Sequence, residues 1–77
     1  MKKTVFLEKI QELLEVDIPL TETTNLTDLE EFDSLAIMSL IAMIHANFQK
    51  TVKGSELQQI KTAEDLMALI GMEHFMD

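Results

Sequence analysis

Apolar residues recur at helical spacing in three parts of this chain and irregularly in the stretch between the first two. Phe6, Ile10, Leu13 and Leu14 repeat every three or four positions, with Glu8, Lys9, Gln11, Glu12 and Glu15 on the other side. The pattern predicts a first helix from about Thr4 to Val16, ending there because Pro19 pushes Ile18 out of the α region. A second helix is predicted from about Ser34 to Gln49, with Asp33 as its N-cap. On a helical wheel Ile37, Leu40, Ile41, Ile44 and Phe48 form the core side, and Leu35, Ser39, Ala42 and Ala46 lie opposite. That outer face carries no carboxylate, which is unusual for so acidic a chain.

Between these helices, Asp17 to Asp33 is a long connection rich in threonine and acids. Ile18, Leu20, Leu26, Leu29 and Phe32 are spaced through it, so it is expected to be pinned to the core and to contain function or a short helix. Past Gly54, Ser55-Glu56-Leu57-Gln58 has the form of a capping box and predicts a short helix with Leu57 and Ile60 inward. Thr62-Ala63-Glu64-Asp65 is a looser version of that signal. It opens a last helix with Leu66, Leu69 and Ile70 toward the core and Gly71 just past its end. Met72 to Asp77 reads as a frayed tail. The fold class is therefore all-α: a bundle of three main helices plus one short helix, with a long loop between the first two, packed around one core.

The composition narrows the function. Seventy-seven residues make one domain, residues 1 to 77. A net charge of −8 and the lack of any arginine exclude a phosphate-backbone binder, so no nucleic acid partner is expected, and anionic membrane surfaces are disfavoured too. The apolar run from Leu35 to Phe48 would reach only about 21 Å as a helix, short of a bilayer core, so no membrane insertion is expected. Charged residues interrupt any signal-peptide core after Met1-Lys2-Lys3, and a cytoplasmic location is expected. Without cysteine there is no disulfide, thiolate nucleophile or cysteine-based zinc site.

One serine stands where the most acidic loop meets the most apolar helix. Asp28, Glu30, Glu31 and Asp33 precede Ser34, and nine of the ten residues after it are apolar. The start of a helix carries unpaired N–H groups and a positive dipole end, so a phosphodiester on this hydroxyl would be electrostatically welcome. The dipole contributes only about 0.3–1 kcal/mol at an exposed site. Against like-charged acids that is too little for reversible anion binding, but the acids cannot remove a covalent ester, and their repulsion would hold an attached arm away from the surface.

The stretch Phe32-Asp33-Ser34-Leu35, followed by a long apolar helix ending in Phe48, resembles the acyl carrier proteins, in which Asp-Ser-Leu at a loop-to-helix junction is the attachment motif. The helix order, the threonine before the last helix and the length carry the resemblance from about Thr4 to Ile70. It implies that Ser34 receives phosphopantetheine from a phosphopantetheinyl transferase that recognises Asp33. The arm's thiol then holds acyl groups as thioesters for acyl-activating and acyl-transferring enzymes. Leu35, Met38 and Ala42 match positions that touch partner enzymes, and Phe6, Ile37, Ile41 and Ile44 would line the interior where some carriers shelter an acyl chain. Carriers of bacterial fatty acid synthesis usually place acids along this helix, whereas here those positions are Ala36, Ser39, His45, Ala46 and Asn47. The residue before the aspartate is usually small, and here it is Phe32. These departures point to a specialised pathway, with housekeeping fatty acid synthesis the alternative.

Other readings weigh less. Ser34 could be only a helix-terminus residue, and the outer face could serve self-association, although a monomer is expected. The acids lack the glycine turn and closing glutamate of a calcium loop, and neither histidine has metal-ligand spacing to the other, so no metal site is expected. No nucleophile elbow is present and adjacent Asp and Ser cannot form a triad, so catalysis is not expected. A helical adaptor without a prosthetic group is the alternative from a different class.

Overall fold

The computed structural model describes residues 1–76. Four α-helices follow one another: α1 (Lys3–Leu14), α2 (Ser34–Phe48), α3 (Gly54–Leu57) and α4 (Ala63–Ile70). Single 3-10 turns lie at Leu26–Asp28 and Met72–His74, and no strand occurs among the described residues. Every helix turns its apolar side to one core, in which Phe6, Ile10, Leu26, Leu40, Ile44, Leu57, Leu66, Met67 and Ile70 are wholly buried. The helical spacing read from the sequence thus finds most of this core, but not Met67.

Both long helices end on a side chain rather than on glycine or proline. The Glu15 backbone is left-handed (φ 57°), its N–H donates to the Glu12 carbonyl at 3.2 Å, and the Val16 N–H reaches back to Gln11 at 3.3 Å. This is the Schellman arrangement, and the apolar residue after the turn, Val16, is buried as the motif requires. So α1 stops at Leu14, two residues before the expected end, and Pro19 is not what stops it. Gln49 (φ 51°) ends α2 in the same conformation, its N–H donating to His45 at 2.9 Å.

The loop from α1 to α2 is fastened by backbone. Leu26 N–H donates to the Lys61 carbonyl at 2.6 Å, Ala63 N–H to Thr24 at 3.2 Å and Glu64 N–H to Glu22 at 2.9 Å. Leu20 and Leu26 are buried beneath it, and Leu29 and Phe32 pack against the core. Ile18 departs from the expectation and is 53% exposed. An ion pair from Lys3 to Glu22 at 3.2 Å ties the loop to α1.

The short helix also begins differently from its sequence signal. It starts at Gly54, with the Glu56 carboxylate accepting the Lys53 N–H at 2.9 Å, and Ser55 is not its cap. Leu57 and Ile60 are buried as expected.

The segment read as a frayed tail is ordered up to Met76. Gly71, with φ 122°, ends α4 and turns the chain back. That φ is one L side chains rarely adopt, so the turn favours glycine whatever the space around it. Phe75 then packs on Phe6 and Phe48, with ring centroids 4.9 and 5.3 Å apart. Lys3 N–H donates to the Met76 carbonyl at 2.9 Å, and Met76 N–H to Met1 at 3.0 Å. Asp77 lies outside the described residues.

Candidate functional site

The start of α2 is organised by Asp33. Its backbone is extended, its carboxylate Oδ1 accepts the Ala36 N–H at 2.9 Å, and its carbonyl accepts the Ile37 N–H at 3.0 Å. Such a cap stabilises a helix by about 1 kcal/mol. It also settles which side chain does the capping. Ser34, the first helical residue, is exposed, and among the described residues no side chain bonds its hydroxyl.

From Ser34 an exposed stripe runs the length of α2: Leu35, Met38, Ala42, His45 and Ala46. Ser34, Met38, Ala42 and Ala46 are spaced one turn apart, which stacks them on one face. Leu35 is 72% and Met38 66% exposed, high values for large apolar side chains. No acid or lysine interrupts the stripe. The structure therefore brings all five sequence-predicted site residues together, with Asp33 at the head of the stripe and Leu35, Met38 and Ala42 along it.

Two neighbouring positions differ from their sequence reading. Ala36 is buried, and Ser39 is half-buried rather than on the outer face. Both line a cleft of about 370 Å³ between the end of α1 and the start of α2, whose rim carries Glu15, Glu31 and Asp33. On the inner side Leu40 and Ile44 are wholly buried, whereas Ile37, Ile41 and Phe48 are only partly so.

Electrostatically the site is one-signed. Asp28, Glu30, Glu31 and Asp33 are all exposed, and among the described residues none of them forms an ion pair. No group of three or more His, Asp or Glu among the described residues is arranged to hold a metal. His45 lies eleven residues along α2 from Ser34, about 16 Å on a helix, and His74 packs edge-on against Phe48 at 5.4 Å. Neither histidine can act as a base at Ser34.

The start of α4 is capped in the opposite manner. There Thr62 Oγ1 accepts the Asp65 N–H at 3.1 Å, and the Asp65 carboxylate accepts the Lys61 and Thr62 N–H groups, each at 3.1 Å. Those backbone bonds, Thr62 first and Lys61 second, hold the Asp65 pKa below its ordinary value.

A helical bundle with a bare hydroxyl at a capped helix start and an uncharged stripe beneath it suits a carrier that is handled by other proteins. The phosphopantetheine attachment site family matches residues 4–70. The solution structure of a holo acyl carrier protein from Geobacter metallireducens superimposes with a TM-score of 0.68 at 25% identity, covering 91% of this chain and 82% of that one. No curated protein matches the chain. The chain belongs to the acyl carrier protein family, whose prosthetic group is a covalently attached phosphopantetheine. It is thus a carrier and not a catalyst, and it works with modifying and acyl-handling enzymes. No helix among the described residues is long and apolar enough to cross a membrane.

Proposed function

We propose that the chain acts as a single acyl carrier domain, residues 1–77, that carries phosphopantetheine on Ser34 and presents acyl groups to the enzymes of a specialised cytoplasmic pathway. The observation that carries this reading is the exposed Ser34 hydroxyl beside an Asp33 that already caps the helix. Ser34 Oγ attacks the coenzyme A phosphorus that bears the pantetheine and loses its proton; the pyrophosphate P–O bond breaks, adenosine 3′,5′-bisphosphate leaves, and a phosphodiester to Ser34 remains. The first turn of α2 then lies beneath that phosphate with its positive dipole end. Glu30, Glu31 and Asp33 repel the phosphate and keep the arm extended into solvent. When attached, the group supplies a thiol that holds acyl groups as thioesters, which a chain with no cysteine cannot do itself.

The specialised pathway is supported by the exposed stripe. Leu35, Met38 and Ala42 offer apolar area without carboxylates, so docking rests on apolar contact, and steering by charge is left to the loop acids. A monomer fits this reading because the stripe must be free for successive partner enzymes.

Intact mass after expression in cells containing a phosphopantetheinyl transferase tests the carrier against the adaptor. A gain of one phosphopantetheine is expected, and an unchanged mass would favour the adaptor. Comparison with a housekeeping carrier as substrate for a fatty acid synthase ketosynthase tests the pathway. Equal service by this chain would overturn the specialised reading.

A further inference from the structure

We infer that Met38 is a modification site, at which peroxide converts the thioether to a sulfoxide and so weakens docking on α2; this rests on the carrier reading above. With no cysteine in the chain, its six methionine thioethers are the softest oxidisable side-chain atoms it has. The fold treats them unequally. Met67 is wholly buried, and Met1 and Met43 pack partly against the core. Met38, Met76 and Met72 are 66%, 59% and 43% exposed. Met72 and Met76 belong to the C-terminal segment, which packs on Phe48 at the far end of α2. Only Met38 of these three stands one turn from Ser34, on the stripe that any enzyme acting there must approach.

The reaction balances simply. A thioether lone pair attacks one peroxide oxygen, the O–O bond breaks, and the second oxygen leaves as water after proton transfer. Sulfur is oxidised by two electrons and the peroxide is reduced. The product is a polar, chiral group in place of a flexible apolar one, and methionine sulfoxide reductases reverse it. Between Leu35 and Ala42 that new oxygen would be covered by an apolar partner surface with no donor to satisfy it. Burying an unpaired polar oxygen disfavours the complex by about tenfold or more. The same sulfoxide on Met72 or Met76 would lie outside the covered area.

The test uses the apo carrier, so that no arm thiol competes for oxidant. Hydrogen peroxide is applied, the sulfoxides are mapped by peptide mass spectrometry, and a promiscuous phosphopantetheinyl transferase is assayed at saturating coenzyme A. Met38 should oxidise well before Met67, and the KM for oxidised carrier should rise about tenfold, the factor expected for the buried oxygen. Met38→Leu should give the same KM before and after peroxide, whatever its starting value, while Met72→Leu with Met76→Leu should remain sensitive. Methionine sulfoxide reductases should restore the original KM. Oxidation at Met38 without a change in KM, or a Met38→Leu carrier that still responds, would overturn the inference. Failure of the untreated carrier to be labelled at all would instead overturn the carrier reading, and the inference with it.

Discussion

Two helix starts in this small protein solve the same problem with the roles of hydroxyl and carboxylate exchanged. At α4 the cap is Thr62, whose hydroxyl is bound by the Asp65 N–H, while the Asp65 carboxylate takes two further N–H groups. At α2 the cap is the Asp33 carboxylate, and the neighbouring Ser34 hydroxyl is left without a structural duty. One start is closed on itself and the other has a nucleophile to offer. An aspartate cap beside a serine therefore separates stability from chemistry, since the hydroxyl can be esterified without unmaking the helix.

The largest expected effect breaks this comparison at its chemical side. Ser34→Ala should abolish phosphopantetheine attachment while shifting the melting temperature by no more than about 2 °C, because only an exposed hydroxyl without a bond is removed. Thr62→Ala should do the reverse, leaving attachment intact and costing about 1 kcal/mol, or roughly 4–8 °C in a domain of this size. A Ser34→Ala protein destabilised as much as Thr62→Ala would show that the two hydroxyls do the same work.

Asp33 is next, because it both caps the helix and carries charge. Asp33→Ala should cost about 1 kcal/mol in thermal stability, and Asp33→Asn should keep most of it, since asparagine caps equally well. If the transferase reads the charge, both variants should be labelled slowly. If it reads only the ordered helix start, Asp33→Asn should be labelled at the native rate.

Acid sharpens the contrast at α4. The folded pKa of Asp65 is depressed by its backbone bonds, so its contribution is present above its ordinary value of 3.8 and is lost as pH falls through the lower folded value. Unfolding followed from pH 6 downward should show Asp65→Asn losing less stability on acidification than the native chain. Equal slopes would mean that the α4 box does not depend on the carboxylate's charge.

The smallest effect concerns the unpaired acids. Fourteen acids against six lysines imply self-repulsion, and the Debye length falls to about 10 Å at 0.1 M salt. The melting temperature should rise by a few degrees with salt, and further with Mg²⁺ at equal ionic strength. A flat response would mean that the acids are already compensated locally.

How much was legible in advance follows from what each feature depends on. The core sides of α1, α2 and α4 were readable because burial imposes a period on the sequence. Asp33 as cap and Ser34 as first residue were readable because a side-chain acceptor before an apolar run has a local cause. The end of α1 was not, since Glu15 enters the left-handed region against its own preference, whereas α2 ends at Phe48, within one residue of its expected end. Tertiary packing of Val16 pays for that at α1. The ordered C-terminal segment was missed because three aromatic residues distant in sequence, Phe6, Phe48 and Phe75, meet only in the fold. Ala36, one of the positions where related carriers usually place acids, is buried here, so an acid introduced there would be buried too, whereas exposed His45 and Ala46 can take one.

The central claim is that the exposed Ser34 hydroxyl beside the capping Asp33 is the one that takes the prosthetic group, and peptide mapping tests it most directly. The native protein is incubated with coenzyme A and a promiscuous transferase, and every serine- and threonine-containing peptide is scored for the adduct. The account predicts one phosphopantetheine, on Ser34, with none on Thr62, whose hydroxyl is bound, and none on Ser39 or Ser55. Adduct on any of those three, or adduct surviving in Ser34→Ala, would contradict it.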